Sequence, residues 1–150
     1  MIHQKETIEL RTAVVHLRED GIMHVHIKGG AEMQLADAIQ VVEAMGKLGN
    51  KKKFPVLIDC GEFALVDKKA WVFSASTEAN IYTSADAVAY HSLAHKLLAD
   101  FFVNHNKPEI PTQVFEDNES AISWLKTFLK DKKQSLAETQ NPLRDQLDSE

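Results

Sequence analysis

The residues with the widest chemical reach are two histidines one position apart, His24-x-His26, in a β-rich stretch. Alternate side chains on a strand share a face, so this spacing sets two imidazoles side by side and can hold Zn²⁺ once a third donor joins them. Glu19, at the end of the same hairpin, is the neighbour the sequence offers for that place. Two half-exposed strand histidines account for the pair without any ion, so neither metal nor cofactor is expected. Cys60 follows Asp59 at the carboxyl end of an apolar run, where α/β proteins often place functional groups. A nucleophilic thiol needs a base or a helix N-terminus beside it. No histidine is close in sequence, and a small buried hydrophobe is the better reading. Asp59 and Asp67 make a carboxylate pair near a strand end, which can do acid–base work when burial separates the two pKa values. Capping and loop hydrogen bonds explain both equally well.

The remaining candidates are weaker. His91 and His95 would share a helix face only if the helix began by His91, and a Ser92 start separates them. Gly29-Gly30 lacks the Gly-x-Gly-x-x-Gly spacing of a dinucleotide site, and neither a P-loop nor a Gly-x-Ser-x-Gly elbow occurs. Lys51-Lys52-Lys53 reads as a solvated loop. Phe101, Phe102 and Trp124 read as core or interface. No catalytic residue is assigned.

These side chains must be held by a small set of elements. Thr12 to Arg18 and Ile22 to Lys28 form a hairpin about Asp20-Gly21. A two-residue turn there would set Val14 opposite Ile27, His16 opposite Val25 and Arg18 opposite Met23. Leu35, Ala38, Ile39, Val42 and Met45 give one helical stripe, with Gln34, Asp37, Gln40 and Glu43 on its solvent side and Gly49-Asn50 as the stop. Pro55 to Cys60 reads as a strand buried on both faces. Asp67 caps a helix running from Lys68 to about Glu78, and Ala85 to Tyr90 is a short alanine-rich strand. Ser92 caps a third helix with Leu93, Ala94, Leu97, Leu98 and Phe101 as its stripe. Pro111 to Phe115 is the last strand, and Asp117 or Asn118 starts a fourth helix through Leu129. The order ββαβαβαβα predicts an α/β fold: a mostly parallel sheet with an antiparallel N-terminal hairpin. Residues 1–11 read as an extension and 12–129 as the domain. Residues 130–150 read as a polar tail with one short helix after Asn141-Pro142.

The 150 residues suit one domain. Seventeen basic against twenty-two acidic side chains give a net charge of −5, which disfavours wholesale nucleic-acid binding. The hydrophobic fraction of 44% is that of a globular chain, and Cys60 is the single cysteine. No run reaches the roughly 18 apolar residues of a membrane span, and no export signal is read. The expectation is a cytoplasmic protein.

With the elements placed, Glu19-Asp20-Gly21-Ile22, Pro55-Val56-Leu57-Ile58-Asp59 and the stretch from Phe101-Phe102 through Pro111-Thr112 to Trp124-Leu125 resemble stand-alone bacterial SpoIIAA-like, STAS-like domains, the fold of anti-sigma-factor antagonists. The resemblance spans about Val14 to Leu129. It implies a non-catalytic regulatory domain that contacts another protein through Asp59, Asp67, Lys68 and Lys69. Antagonists of this family carry an Asp-Ser-Ser-Gly type segment whose serine is phosphorylated by a partner kinase. Here Asp67-Lys68-Lys69-Ala70 stands in its place, and a lysine cannot take that phosphate; Ser74, Ser76 and Thr77 lie deeper in the helix. Related domains also resemble lipid carriers, so the alternative is a small-molecule or lipid binder with an apolar pocket, for which Leu97, Leu98, Phe101, Phe102, Trp124 and Phe128 supply the bulk. A homodimer would cover any apolar strand face left bare. An enzyme built from residues distant in sequence is the third class.

Overall fold

A computed structural model describes residues 6–106 and 109–139. In chain order its elements are β1 (Thr7–Glu9), β2 (Ala13–Leu17), β3 (Met23–Ile27), β4 (Glu32–Met33), α1 (Leu35–Leu48), β5 (Phe54–Cys60), β6 (Leu65–Val66), α2 (Lys68–Ser74), β7 (Thr83–Ala89), α3 (Leu93–Asn106), β8 (Thr112–Phe115) and α4 (Asn118–Thr139). A six-stranded sheet runs β1-β2-β3-β5-β7-β8, and β4 pairs with β6 in a separate small ribbon. The first two pairings are antiparallel and the other three of the large sheet are parallel. The expected ββαβαβαβα order is therefore present, with β1 added at one edge from within residues 1–11. Helix α4 continues past Leu129, and the short helix read at Asn141-Pro142 lies outside the described residues.

The hairpin register differs by one residue from expectation. Ala13 pairs with Ile27, Val15 with Val25 and His16 with His24. The turn uses three residues, because Gly21 takes a left-handed φ of +88° and its N–H donates to Arg18 O at 3.1 Å while Arg18 N–H donates to Ile22 O at 2.9 Å. This is a type I turn followed by a left-handed glycine, a hairpin closure open to Asp-Gly as readily as the two-residue one. A shift of one residue changes which side chains share a face. Val15, Val25 and Ile27 now lie together on the buried side, and His16, His24 and His26 together on the other. Gly21→Ala would force a side chain into left-handed backbone, with its Cβ 3.2 Å from Leu129 Cδ2. The expected cost is about 1–2 kcal/mol, read as a lower urea midpoint.

The alternation of the strands builds two cores. On one side Ala13, Val15, Met23, Val25, Ile27 and Val56 pack against Ala38, Val41, Ala44 and Met45 of α1. On the other, Ile22, Leu57, Ala85, Ala87 and Ala89 pack against Ala121 and Leu125 of α4. The alanines of β7 have short side chains, so α4 can lie close to the sheet. Trp124 then wedges between Phe115 (ring centroids 5.6 Å apart) and Phe128 (4.9 Å). The uncovered part of the α4 side, over β1 to β3, carries Thr7, Glu9, His16, His24, His26 and Lys28 with Val14 among them, a mostly polar strand face. Lys28 Nζ bridges to Glu9 there at 2.9 Å.

Three local expectations are corrected. Asp37 is buried, not on the solvent side of α1. Its Oδ2 accepts from Gln34 N–H at 2.9 Å and from Arg11 Nη2 at 2.6 Å, closing the first turn. Helix α2 ends at Ser74, not near Glu78. Asn80 Nδ2 donates to the carbonyls of Ser74 and Ser76 at 3.0 and 2.8 Å, satisfying the acceptors that a continued helix would have used. The α3 stripe points outward: Leu93, Leu97 and Phe101 are 71%, 61% and 58% exposed. His95 Nε2 bonds to Ala64 O at 2.9 Å, and Ala99 is buried, so the opposite helix face turns in. The Phe102 side chain lies outside the described residues. No helix among the described residues is long and apolar enough to cross a membrane.

Candidate functional site

Parallel pairing of β3 with β5 sets His26 directly beside Asp59, with His24 one step back on the same face. Asp59 Oδ1 lies 3.0 Å from His24 Nε2 and 2.9 Å from His26 Nδ1. Its Oδ2 accepts from Asn118 Nδ2 at 2.9 Å, from the first residue of α4. An ionised carboxylate only accepts, so the shared oxygen assigns N–H to His24 Nε2 and to His26 Nδ1. Burial pushes the Asp59 carboxyl up, but hydrogen bonds from His24, Asn118 and His26 outweigh it and hold the group well below the ordinary carboxylate range. The carboxamide oxygen of Asn118, Oδ1, is buried with no hydrogen-bond partner among the described residues. The His24 and His26 side chains keep 25% and 41% exposure, whereas that of Asp59 keeps 9%. The donor atoms of the three residues all lie within 4.8 Å of one another.

The acidic partner of His24-x-His26 is thus Asp59, and Glu19 is not in the group. Asp59 is 33 and 35 residues away from the two histidines, and only the strand pairing joins them. Its burial also takes it off the surface expected to meet a partner. Asp67, Lys68 and Lys69 are exposed, and Asp67 Oδ2 accepts from Lys69 N–H at 3.2 Å as the cap of α2. Asp59 and Asp67 are not brought together as a carboxylate pair. Ser74 and Ser76 spend their hydroxyls on carbonyls of Ala70 and Phe73. His95 is occupied with Ala64 O, and His91 is exposed.

A second feature lies on the opposite face of the sheet. An apolar cavity of about 90 Å³ sits between α1, α2 and the strands, lined by Val25, Val41, Met45, Val56, Trp71 and Phe73 among others. Cys60 also lines it, and burial, with the nearby Asp59 charge, raises its thiol to about 11. A thiol raised that far is mostly protonated at neutral pH and correspondingly weak as a nucleophile. Asp86 faces the same cavity from β7. Its Oδ1 is buried with no hydrogen-bond partner among the described residues, and burial pushes the carboxyl up to about 7. Neither Asp86 nor Asn118 stands out in the sequence as a site residue. The available signal was a lone acid inside the run Ala85-Asp86-Ala87-Val88-Ala89, on the face that also carries Val88.

A family profile described as a domain of unknown function, DUF7793, matches residues 15–129. The chain belongs to that family. The matched span of this DUF7793 chain takes in His24, His26, Asp59, Asp86 and Asn118. Among solved structures it is similar to an uncharacterised DUF3478-family protein with a SpoIIAA-like fold from Shewanella loihica. The two are 17% identical at a TM-score of 0.54, over 79% of this chain and 97% of that one. At that identity the likeness shows the fold: DUF7793 here has the SpoIIAA-like architecture. A protein of unknown function from an Arthrobacter species is 25% identical over 75% of this chain and 97% of its own, at a TM-score of 0.27. No curated protein matches the chain.

Proposed function

We propose that this domain is a non-catalytic binding module that takes a small, largely apolar molecule into the cavity beneath α2. The observation that carries the reading is Asp86, a buried carboxyl with one oxygen that has no hydrogen-bond partner among the described residues, in the wall of a mostly apolar cavity. Burying a polar group without a partner costs on the order of 1–3 kcal/mol. A ligand with an apolar body and one hydrogen-bonding group would repay that cost, which is how small-molecule sites gain orientation. The raised thiol of Cys60 and the absence of a nucleophile–base pair around it among the described residues favour binding over turnover. Pyrrole, a small apolar ring with a single N–H group, is a suitable probe for a cavity of about 90 Å³. Saturable shifts of the Val25, Val41 and Met45 methyl resonances are expected on titration, and Ala38→Leu, which fills the cavity from α1, should abolish them while the fold is kept. Absence of any saturable shift, or identical shifts in Ala38→Leu, defeats the reading.

A second reading, contact with a protein partner, is favoured by the outer surface of the same segment. Phe63, Leu65 and Val72 are 77%, 57% and 53% exposed beside Lys68 and Lys69, and exposed apolar groups rimmed by charge mark interaction sites. A photo-crosslinking residue at Val72 should capture one discrete protein in cells while the same residue at Gln113, on edge strand β8, does not. Equal labelling from both positions would dismiss it.

A further inference from the structure

The geometry points to a divalent transition-metal site, fitted best to Zn²⁺, formed by His24 Nε2, His26 Nδ1 and Asp59 Oδ1 on the polar face of β3 and β5. It lies across the sheet from the cavity beneath α2 and does not depend on that cavity's ligand. Imidazole nitrogen and carboxylate oxygen are the donors zinc takes alongside thiolate. Bonds of about 2.0–2.2 Å place donors sharing a tetrahedral zinc roughly 3.3–3.6 Å apart. The separations here are 3.0 and 2.9 Å from Asp59 Oδ1 to the two nitrogens, with every donor atom within 4.8 Å of the others. Small rotations about the side-chain torsions open the trio to that spacing. The donors stand on two hydrogen-bonded strands, so the backbone already fixes their approach.

The surroundings match what ligating groups require. A carboxylate ligand is ordinarily oriented by a further hydrogen bond, and Asn118 Nδ2 supplies one to Asp59 Oδ2 at 2.9 Å. An entry path exists, because both imidazoles reach solvent across the uncovered half of the sheet. Three protein donors leave a fourth position for water. Charge balances as follows. An imidazole in its neutral form would carry its one proton on the nitrogen that faces Asp59. On metal binding that proton moves to the other ring nitrogen, His24 Nδ1 and His26 Nε2, and the freed lone pair enters the coordination bond. No net proton need leave, and the carboxylate contributes the single negative charge. The ion would replace two hydrogen bonds with bonds that clamp β3 to β5, so it should raise the unfolding temperature with increasing concentration.

The test uses the full chain, stripped with chelator and titrated with Zn²⁺ by calorimetry. Co²⁺ serves as the visible probe of tetrahedral coordination. One equivalent bound at micromolar Kd or tighter is expected, with a cobalt absorption band that zinc displaces and a zinc-dependent rise in Tm. Asn118→Ala should weaken binding about 10–100-fold, as loss of an outer partner does. His26→Gln, at the most exposed donor, should abolish the cobalt band in a protein whose circular dichroism is unchanged, so that a folding defect in an Asp59 variant would not decide the matter. Binding weaker than millimolar in the parent chain overturns the proposal, and so does binding that His26→Gln leaves intact, which would place the ion elsewhere.

Discussion

Asp86→Asn is expected to stabilise the protein by up to about 4 kcal/mol at pH 8 and by little at pH 4. In the unfolded chain the Asp86 carboxyl ionises near its ordinary value of 3.8, but in the folded protein burial pushes it to about 7. Between those values the unfolded state has released a proton that the native state still holds. Stability therefore falls as pH rises through that window and is flat above it. Asparagine keeps the shape and removes the ionisation, so the gain should follow the same window. Urea unfolding of the parent and the variant at pH 4, 6 and 8 reads it directly. A gain of equal size at all three pH values would mean that desolvation of the charge is not the cause. Asp86 also lines the cavity, so under the proposed binding reading the variant would exchange a ligand contact for stability, a trade familiar at functional sites.

Gly61→Ala should cost about 3 kcal/mol, the upper end of what overpacking usually does. A Cβ at Gly61 would stand 2.5 Å from Gly29 N and 2.7 Å from Gly29 Cα. Both obstacles are backbone, and neither can rotate away. The strands are also tied at that point, since Gly61 N–H donates to Ile27 O at 2.7 Å and Gly30 N–H to Glu62 O at 2.8 Å. Relief must come from spreading β3 and β5 where they end, immediately beyond His26 and Asp59. The variant should therefore lower the urea midpoint and also weaken Zn²⁺ binding at the His24, His26 and Asp59 trio. An alanine that leaves both unchanged would show that the two chains part there without disturbing the pair.

The strand and helix order was legible because each element announces itself locally. Gly-Asn stops a helix, Asp-Gly turns a hairpin, and a continuous apolar run between lysines and a glycine marks a buried strand. What failed were choices between near-equal local solutions. Asp20-Gly21 suits a turn of two residues or of three, and only the burial of Val15, Val25 and Ile27 together selects the second. The α3 stripe is a sound helical period, but period does not say whether leucines or His95 and Ala99 face the sheet. The site was harder still, because its acid comes from another strand. Parallel pairing of β3 with β5 is a property of the topology, and a polar Asp59 beneath an apolar run could have been matched with the polar face of His24 and His26 only after that pairing was assumed.

Helix α2 has seven residues and one buried residue, Ala70, and it ends where Asn80 caps it. Few apolar contacts hold it, so its amides should exchange with deuterium at a local opening cost well below that of global unfolding. Trp71 and Phe73 ride on this segment as part of the cavity wall. A guest would enter at the frequency with which this roof breathes, and its arrival rate would saturate with concentration instead of tracking diffusion.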